Sequence, residues 1–259
     1  MIGALKDSEG RSIAAAWAPD GVHVALVADN DMLRLWHVEG GKSERTRTGG
    51  LGHMTSVAWA PDNSVVATGS LKNGVRLWDP EFKKFRAPGK KSSEQVFCLS
   101  FSPRSPHLAA GTSTGAIHVW NLDEDKEIAS WSAHTEGVYS VVYSRANSLL
   151  ASGGVDGVIR LWDPLTGRPE LALEGHEGAV HSVSLSGDGR LLASKSIDNT
   201  VRLWSLELEE CVAILPEPAG KTWLPGIAFH PTEPMLATLG KQDTIIRVWE
   251  LDLGELLGD

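Results

Sequence analysis

Leu33-Arg34-Leu35-Trp36 returns as Val75-Arg76-Leu77-Trp78, Ile117-His118-Val119-Trp120, Ile159-Arg160-Leu161-Trp162, Val201-Arg202-Leu203-Trp204 and Ile246-Arg247-Val248-Trp249. The first five tryptophans stand 42 residues apart, and the last interval is 45. Repeats of this length, built from short alternating apolar runs, form radial or solenoidal arrays, because each unit has faces that only a neighbour can cover. The 259 residues are therefore read as a single domain, 1–259, in six copies.

Each copy parses as four strands. In the fourth, Val138-Tyr139-Ser140-Val141-Val142-Tyr143 alternates with period 2 and Ser144-Arg145-Ala146-Asn147 turns the chain. The first and second copies carry Ala18-Pro19-Asp20-Gly21 and Ala60-Pro61-Asp62-Asn63 at that place, both strong turn formers. Leu149–Ser152 follows, then a tight turn through Asp156-Gly157, a third strand ending on Trp162, and a weaker fourth near Glu170–Leu173. Hairpins at this spacing predict an all-β chain of twisted antiparallel sheets.

Trp78-Asp79, Trp162-Asp163, the Gly-His pairs at 52–53 and 175–176, and Ala151-Ser152-Gly153-Gly154-Val155-Asp156-Gly157 carry a resemblance to the WD-repeat β-propeller family over essentially the whole chain. The resemblance implies one four-stranded antiparallel blade per repeat around a central channel. Direct count gives six blades, with the ring closed by the N-terminal strand, residues 2–6, joining the last blade; a seventh blade from a longer parent chain is the open alternative. The ending Val248-Trp249-Glu250-Leu251-Asp252-Leu253-Gly254-Glu255-Leu256-Leu257 resembles the tail of WD-repeat sensor regions in large bacterial signalling ATPases. That second resemblance implies a signalling role as the sensing end of a longer protein.

Bulk properties narrow the function classes. A formal charge of −9 disfavours general nucleic-acid binding, which draws its affinity from cations neutralising phosphates. The local exception is the basic rim Lys83–Lys91, read either as lysines guarding solvated sheet edges or as a docking strip for an acidic partner. No run approaches the roughly 18 apolar residues of a membrane span, and the N-terminus lacks the apolar stretch of a signal peptide. Only Cys98 and Cys211 are present, in different parts of their repeats, so two free thiols and a reducing cytoplasmic setting are expected. Scattered single histidines and hairpin-closing glycines predict no metal and no cofactor.

Two copies contain what a hydrolase triad would need: His134, Ser152 and Asp156, and His176, Ser194 and Asp198. The spacing repeats, 18 residues from His to Ser, 4 from Ser to Asp and 6 from Asp to Trp162 or Trp204. The resemblance implies a structural tetrad inside each blade, running from indole through hydroxyl and imidazole to carboxylate. A nucleophile would need an oxyanion hole and substrate access as well, so a non-enzymatic reading is favoured. The other copies depart from the pattern: Leu26 and Asn30 in the first, Thr68 and Lys72 in the second, Ala110 and Thr114 in the third, and Thr238 with no matching histidine in the sixth.

The family's favoured partner positions are the start of the first strand, two residues before it, and the residue before the turn aspartate. Carried onto this chain they single out Phe97, Tyr139, Val155, His181, Ile197 and Trp223 as an arc of aromatic and aliphatic side chains. Such a patch fits a protein or peptide partner. The alternatives are side chains that merely plug the channel mouth and, at the level of function, a structural scaffold. Trp17 and Trp59, aligned on the first strand, are expected in the core. The arginine two residues before each repeat tryptophan is expected to lie along its blade and reach a carboxylate.

Overall fold

The computed structural model describes residues 11–40, 42–48, 50–89, 94–146, 148–216, 226–240 and 245–258. Residues 2–6, and with them the expected closing strand, lie outside this set, as do Lys90, Lys91 and Trp223. The chain divides into two compact units, Met1–Ser130 and Trp131–Asp259.

In the first unit, blade 1 comprises β1 (Ser12–Trp17), β2 (His23–Ala28), β3 (Met32–His37) and β4 (Lys42–Thr48). Blade 2 comprises β5 (Met54–Trp59), β6 (Val66–Ser70), β7 (Gly74–Trp78) and the short β8 (Phe85–Arg86). Blade 3 follows with β9 (Val96–Phe101), β10 (His107–Thr112), β11 (Ala116–Asn121) and β12 (Lys126–Ser132). The second unit holds blade 4, β13 (Val138–Tyr143), β14 (Leu150–Gly154), β15 (Ile159–Trp162) and β16 (Pro169–Leu173), and blade 5, β17 (Val180–Leu185), β18 (Leu191–Ser196), β19 (Thr200–Ser205) and β20 (Glu210–Pro216). Blade 6 shows β21 (Ile227–Phe229), β22 (Met235–Leu239) and β23 (Ile246–Glu250) among the described residues. Each sheet runs in sequence order, so every connection is a hairpin.

The turns form where the sequence places turn residues. Gly21 and Asn63 each donate a backbone bond to the residue three back, Ala18 and Ala60, from left-handed conformations that glycine and asparagine tolerate. The aspartate after the repeat tryptophan caps the next turn: Asp79 accepts from the backbone of Lys83 and Lys84 at 2.8 and 2.9 Å. After Trp249 the chain turns into a short helix, α1 (Leu253–Leu257), capped by Asp252 and Gly258. Leu256 of this helix packs on the core of blades 5 and 6.

One packing rule serves the four blade junctions that lie within the units. The apolar pair on the third strand is covered by three side chains of the following blade: the large first-strand residue, a second-strand aliphatic and the repeat tryptophan. Leu33 and Leu35 meet Trp59, Val66 and Trp78. Val75 and Leu77 meet Phe101, Leu108 and Trp120. Ile159 and Leu161 meet Leu185, Leu192 and Trp204, and Val201 and Leu203 meet Phe229, Leu236 and Trp249. Burying such an aliphatic pair contributes about 3–6 kcal/mol per junction. Trp17 departs from the expectation: it is 60% exposed, whereas its counterpart Trp59 is buried. Trp59 packs against Leu33 and Leu35 of blade 1, whereas Trp17 stands on the first strand of the chain's first described blade.

Candidate partner-binding surface

The residues at the start of the first strands share a backbone irregularity that their spacing alone does not reveal. In blade 4, Val138 pairs with Gly154 and Ser140 with Gly153, leaving Tyr139 as an extra residue. The same bulge isolates His181 in blade 5, Phe97 in blade 3, Thr55 in blade 2 and Ile13 in blade 1. A bulge re-aims the side chain it carries and ends regular pairing, which suits a strand end that must present a group.

In the second unit two consecutive bulge residues meet: the Tyr139 and His181 rings lie 4.7 Å apart, tilted by 39°. His181 is buried, at 7% exposure, so it backs the patch rather than forming its outer surface. Ile197 is 49% exposed and closes over Gly178, where a Cβ would come within 2.6 Å of its Cγ1. Val155 and Ile197 occupy matching turns, each donating its N–H to the entry of its own first strand, at Gly137 and Ala179. The two blades are joined by the Val183 N–H donating to Ser140 Oγ at 3.1 Å. Tyr139 and His181 thus meet at the strand entries of blades 4 and 5, whose turns carry Val155 and Ile197. Phe97 is half-buried at the corresponding bulge of the first unit.

Below this end lie the tetrads. In blade 4 the Trp162 indole N–H donates to Ser152 Oγ at 2.8 Å, and the hydroxyl donates to His134 Nε2 at 2.8 Å. His134 Nδ1 donates to Asp156 Oδ1 at 2.8 Å, and Arg160 holds the other carboxylate oxygen at 2.7 Å. This tautomer is the one that satisfies every member. Gly154 makes room for the imidazole, since a Cβ there would sit 2.4 Å from its Nδ1. Blade 5 repeats the chain through Trp204, Ser194, His176 and Asp198 at 2.7–2.8 Å, with Thr200 in the place that Arg160 takes on the carboxylate.

Burial is the largest influence on both histidines and lowers their pKa, only partly opposed by Asp156 and Asp198. Burial also opposes ionisation of the two aspartates, but hydrogen bonds from the histidines, with Arg160 and Thr200, outweigh it and lower their pKa. The result is neutral imidazole beside carboxylate, the ground state of a hydrolytic triad. Ser152 and Ser194, however, are fully buried, and each oxygen already takes an indole N–H. A substrate carbonyl has no approach to either hydroxyl in this arrangement.

Elsewhere the chain is partial. Thr68 accepts from Trp78 at 2.9 Å and Thr238 from Trp249 at 3.1 Å. In blade 1, with Leu26 in the serine position, the buried Trp36 indole nitrogen meets no acceptor. Two substitutes were not anticipated from the spacing. Asp31 accepts from the backbone of Gly52 and His53, which accounts for a Gly-His pair set too close to its strand. His118 replaces the repeat arginine and lies between Glu127 at 2.7 Å and Glu94 at 3.3 Å; its signal was the one broken copy of the tetrapeptide. Of the repeat arginines, Arg160 reaches a carboxylate, while Arg76 stacks over Phe85 and donates to the Gly50 carbonyl instead.

In the described part of the basic rim two cations are paired. Lys83 pairs with Glu81 and Arg86 with Asp125, and Arg47 donates to the Phe82 and Lys83 carbonyls. Both cysteines are free. Among the described residues no cluster of three His, Cys, Asp or Glu side chains is arranged to hold a metal ion, and no helix is long and apolar enough to cross a membrane.

Comparison with known proteins fits this geometry. The family model described as the WDR19 first beta-propeller matches residues 13–167, and the model described as WD domain, G-beta repeat, matches residues 167–205. The chain belongs to the WD-repeat β-propeller family. It is a six-bladed propeller of mostly four-stranded antiparallel blades, a fold that generally serves as a protein-interaction or scaffold module and is typically non-enzymatic. Among solved structures it is similar to one described as the structure of U3-55K, at 19% identity and a TM-score of 0.83, covering 97% of this chain and 80% of that one. It is also similar to the crystal structure of RRP9 WD40 repeats, at 19% identity and a TM-score of 0.84, covering 97% and 79%. At these identities the likeness shows the propeller fold. No curated protein matches the sequence.

Proposed function

We propose that this propeller is a non-enzymatic recognition module that binds a protein or peptide segment at the strand-entry end of its blades. The observation that carries the reading is the patch on blades 4 and 5. There Tyr139 rests on a buried His181, and Ile197 stands half exposed on the turn of blade 5 that matches the turn of Val155 in blade 4. Preorganised aromatic and aliphatic side chains lose little entropy on binding, which is what makes such positions anchors. Phe97 extends the same kind of site in the first unit, and Trp223 was assigned to it from sequence. Two free thiols agree with action in a reducing cytoplasm.

The test is a capture experiment from native lysate with wild type and a Tyr139→Ala/Ile197→Ala variant whose melting curves match. A bound protein retained by wild type and lost by the variant supports the reading. Identical catches would overturn it and leave a scaffold whose working surface lies elsewhere.

A further inference from the structure

The junctions of blades 2–3 and of blades 5–6 each carry a groove where the first-strand turns meet the exit of the third strand, and the two grooves match. Phe101, Pro103, Pro106 and Leu122 line one, and Phe229, Pro231, Pro234 and Leu251 line the other. The same bond closes both: Leu122 N–H donates to the Pro106 carbonyl and Leu251 N–H to that of Pro234, each at 2.8 Å. Asp62 and Asp188 hold the facing turns alike, accepting from the backbone of Ser64 and Arg190 at 3.0 Å. Yet the blade 5–6 groove has a volume of about 110 Å³ and the blade 2–3 groove about 440 Å³.

Two sequence differences account for this. At Gly187 a Cβ would come within 2.1 Å of the Pro231 carbonyl oxygen, so these turns close only because glycine stands there. Blade 2 has Pro61 in its place, and a ring requires a wider seat. Beyond Leu251 the chain also lays its own tail on the groove, where Leu253 lines it and Leu256 packs on the core of blades 5 and 6. Beyond Leu122 the chain turns back into β12 and contributes Asp123 instead. The open groove keeps a half-buried apolar floor of Val65, Phe101 and Leu122. Its rim differs in charge, since Arg104 and Ser105 stand where the filled groove has Thr232 and Glu233. Arg86 is taken by Asp125, and Asp62 by the N–H and hydroxyl of Ser64. Arg104 and Asp123 are the exposed charges that remain.

We propose that the blade 2–3 groove docks a short acidic, leucine-bearing segment of a partner protein, with a leucine on the Phe101–Leu122 floor and a carboxylate on Arg104. The chemistry of the occupant follows from the groove that is filled. There the covering segment is Glu250-Leu251-Asp252-Leu253-Gly254-Glu255-Leu256-Leu257, leucines interleaved with carboxylates. The open groove offers the same floor and adds a cation to meet those carboxylates. It lies at the far end of β9 from the Phe97 bulge, so it is a separate site from the strand-entry surface and does not rest on that reading.

Fluorescence anisotropy tests it, with a labelled synthetic peptide of residues 250–257 added to the whole chain. The expected result is saturable binding, weakened roughly fivefold by Arg104→Glu in a variant that melts as wild type does. A peptide with lysine in place of Asp252 and Glu255 should reverse the order and bind the Arg104→Glu variant better than wild type. Pro61→Gly, which lets the turns close as they do at Gly187, should weaken both peptides. The Tyr139→Ala/Ile197→Ala variant should bind as wild type does, which separates this result from the lysate capture. Absence of saturable binding would overturn the proposal, as would binding that Arg104→Glu leaves untouched, which places the peptide elsewhere. So would tighter binding of a proline-rich peptide of equal length, or self-association that Arg104→Glu abolishes, which would assign the groove to a second copy.

Discussion

Blades 4 and 1 both bury the repeat tryptophan of their third strand, and the two indoles are held by unlike surroundings. Trp162 donates into a chain of serine, imidazole and carboxylate in which every polar atom is matched. Blade 1 has Leu26 in the serine position, and the Trp36 nitrogen meets no acceptor. Blade 1 thus depends on apolar packing where blade 4 adds a cooperative polar network. The comparison teaches that the fold requires the indole's bulk at this position, whereas the tetrad adds rigidity on top of it. The blades that carry complete tetrads are also those that carry Tyr139, Val155, His181 and Ile197.

Ser152→Ala is the harshest way to break that contrast. It strips the acceptor from Trp162 and the donor from His134 Nε2 at a site with no water access, leaving two unsatisfied groups. The expected loss is about 3 kcal/mol, with the melting temperature falling by about 6–12 °C. Ser194→Ala should match it in blade 5. Denaturant titration checks both, and a serine held for catalysis would instead give a near-neutral or stabilising substitution.

Acid should separate the same blades more gently. His134 and His176 are held below their ordinary value of 6.5, principally by burial, so the unfolded chain binds protons that the folded chain refuses. Stability is then full above about 6.5 and falls as the pH drops through and below it, because the slope follows the excess protons of the unfolded state. Asp156 and Asp198, held below 3.8, add their own loss only at still lower pH. Native-state hydrogen exchange at pH 7.5 and 5 should show protection lost in β14, β15, β18 and β19 while β2 and β3 change little. Equal loss in all of them would mean that the imidazoles are not the weak point.

What could be read from sequence was whatever the chain encodes locally. The four-strand unit follows from alternation and from turns such as Ala60-Pro61-Asp62-Asn63. The bonding of His134, Ser152, Asp156 and Trp162 follows because one register, repeated at 42 residues, brings the same four types together twice. The bulges at Tyr139 and His181 were not legible, since a bulge is a property of two strands in register and no single residue announces it. Burial was equally hidden: His181 and Tyr139 hold equivalent positions, yet the histidine is buried and backs the patch. Trp17 and Trp59 also hold equivalent positions, yet Trp59 packs against Leu33 and Leu35 while Trp17 is exposed, a difference the local sequence does not announce.

The smallest effect is the most discriminating. Leu26→Ser places a hydroxyl in blade 1 where Ser152 stands in blade 4, with the Trp36 N–H as its intended donor. Leu26 is half-buried, so removing it forfeits about 1–2 kcal/mol of apolar burial. The new hydrogen bond returns about 1 kcal/mol and relieves a buried donor that otherwise bears its desolvation cost. The two nearly cancel, and the expected change in unfolding free energy is within about 1 kcal/mol of zero. An unaltered denaturation midpoint would show that the indole had been satisfied by the added acceptor. A fall of the size expected for Ser152→Ala would show that leucine's packing, and not the missing hydroxyl, is what blade 1 rests on at this position.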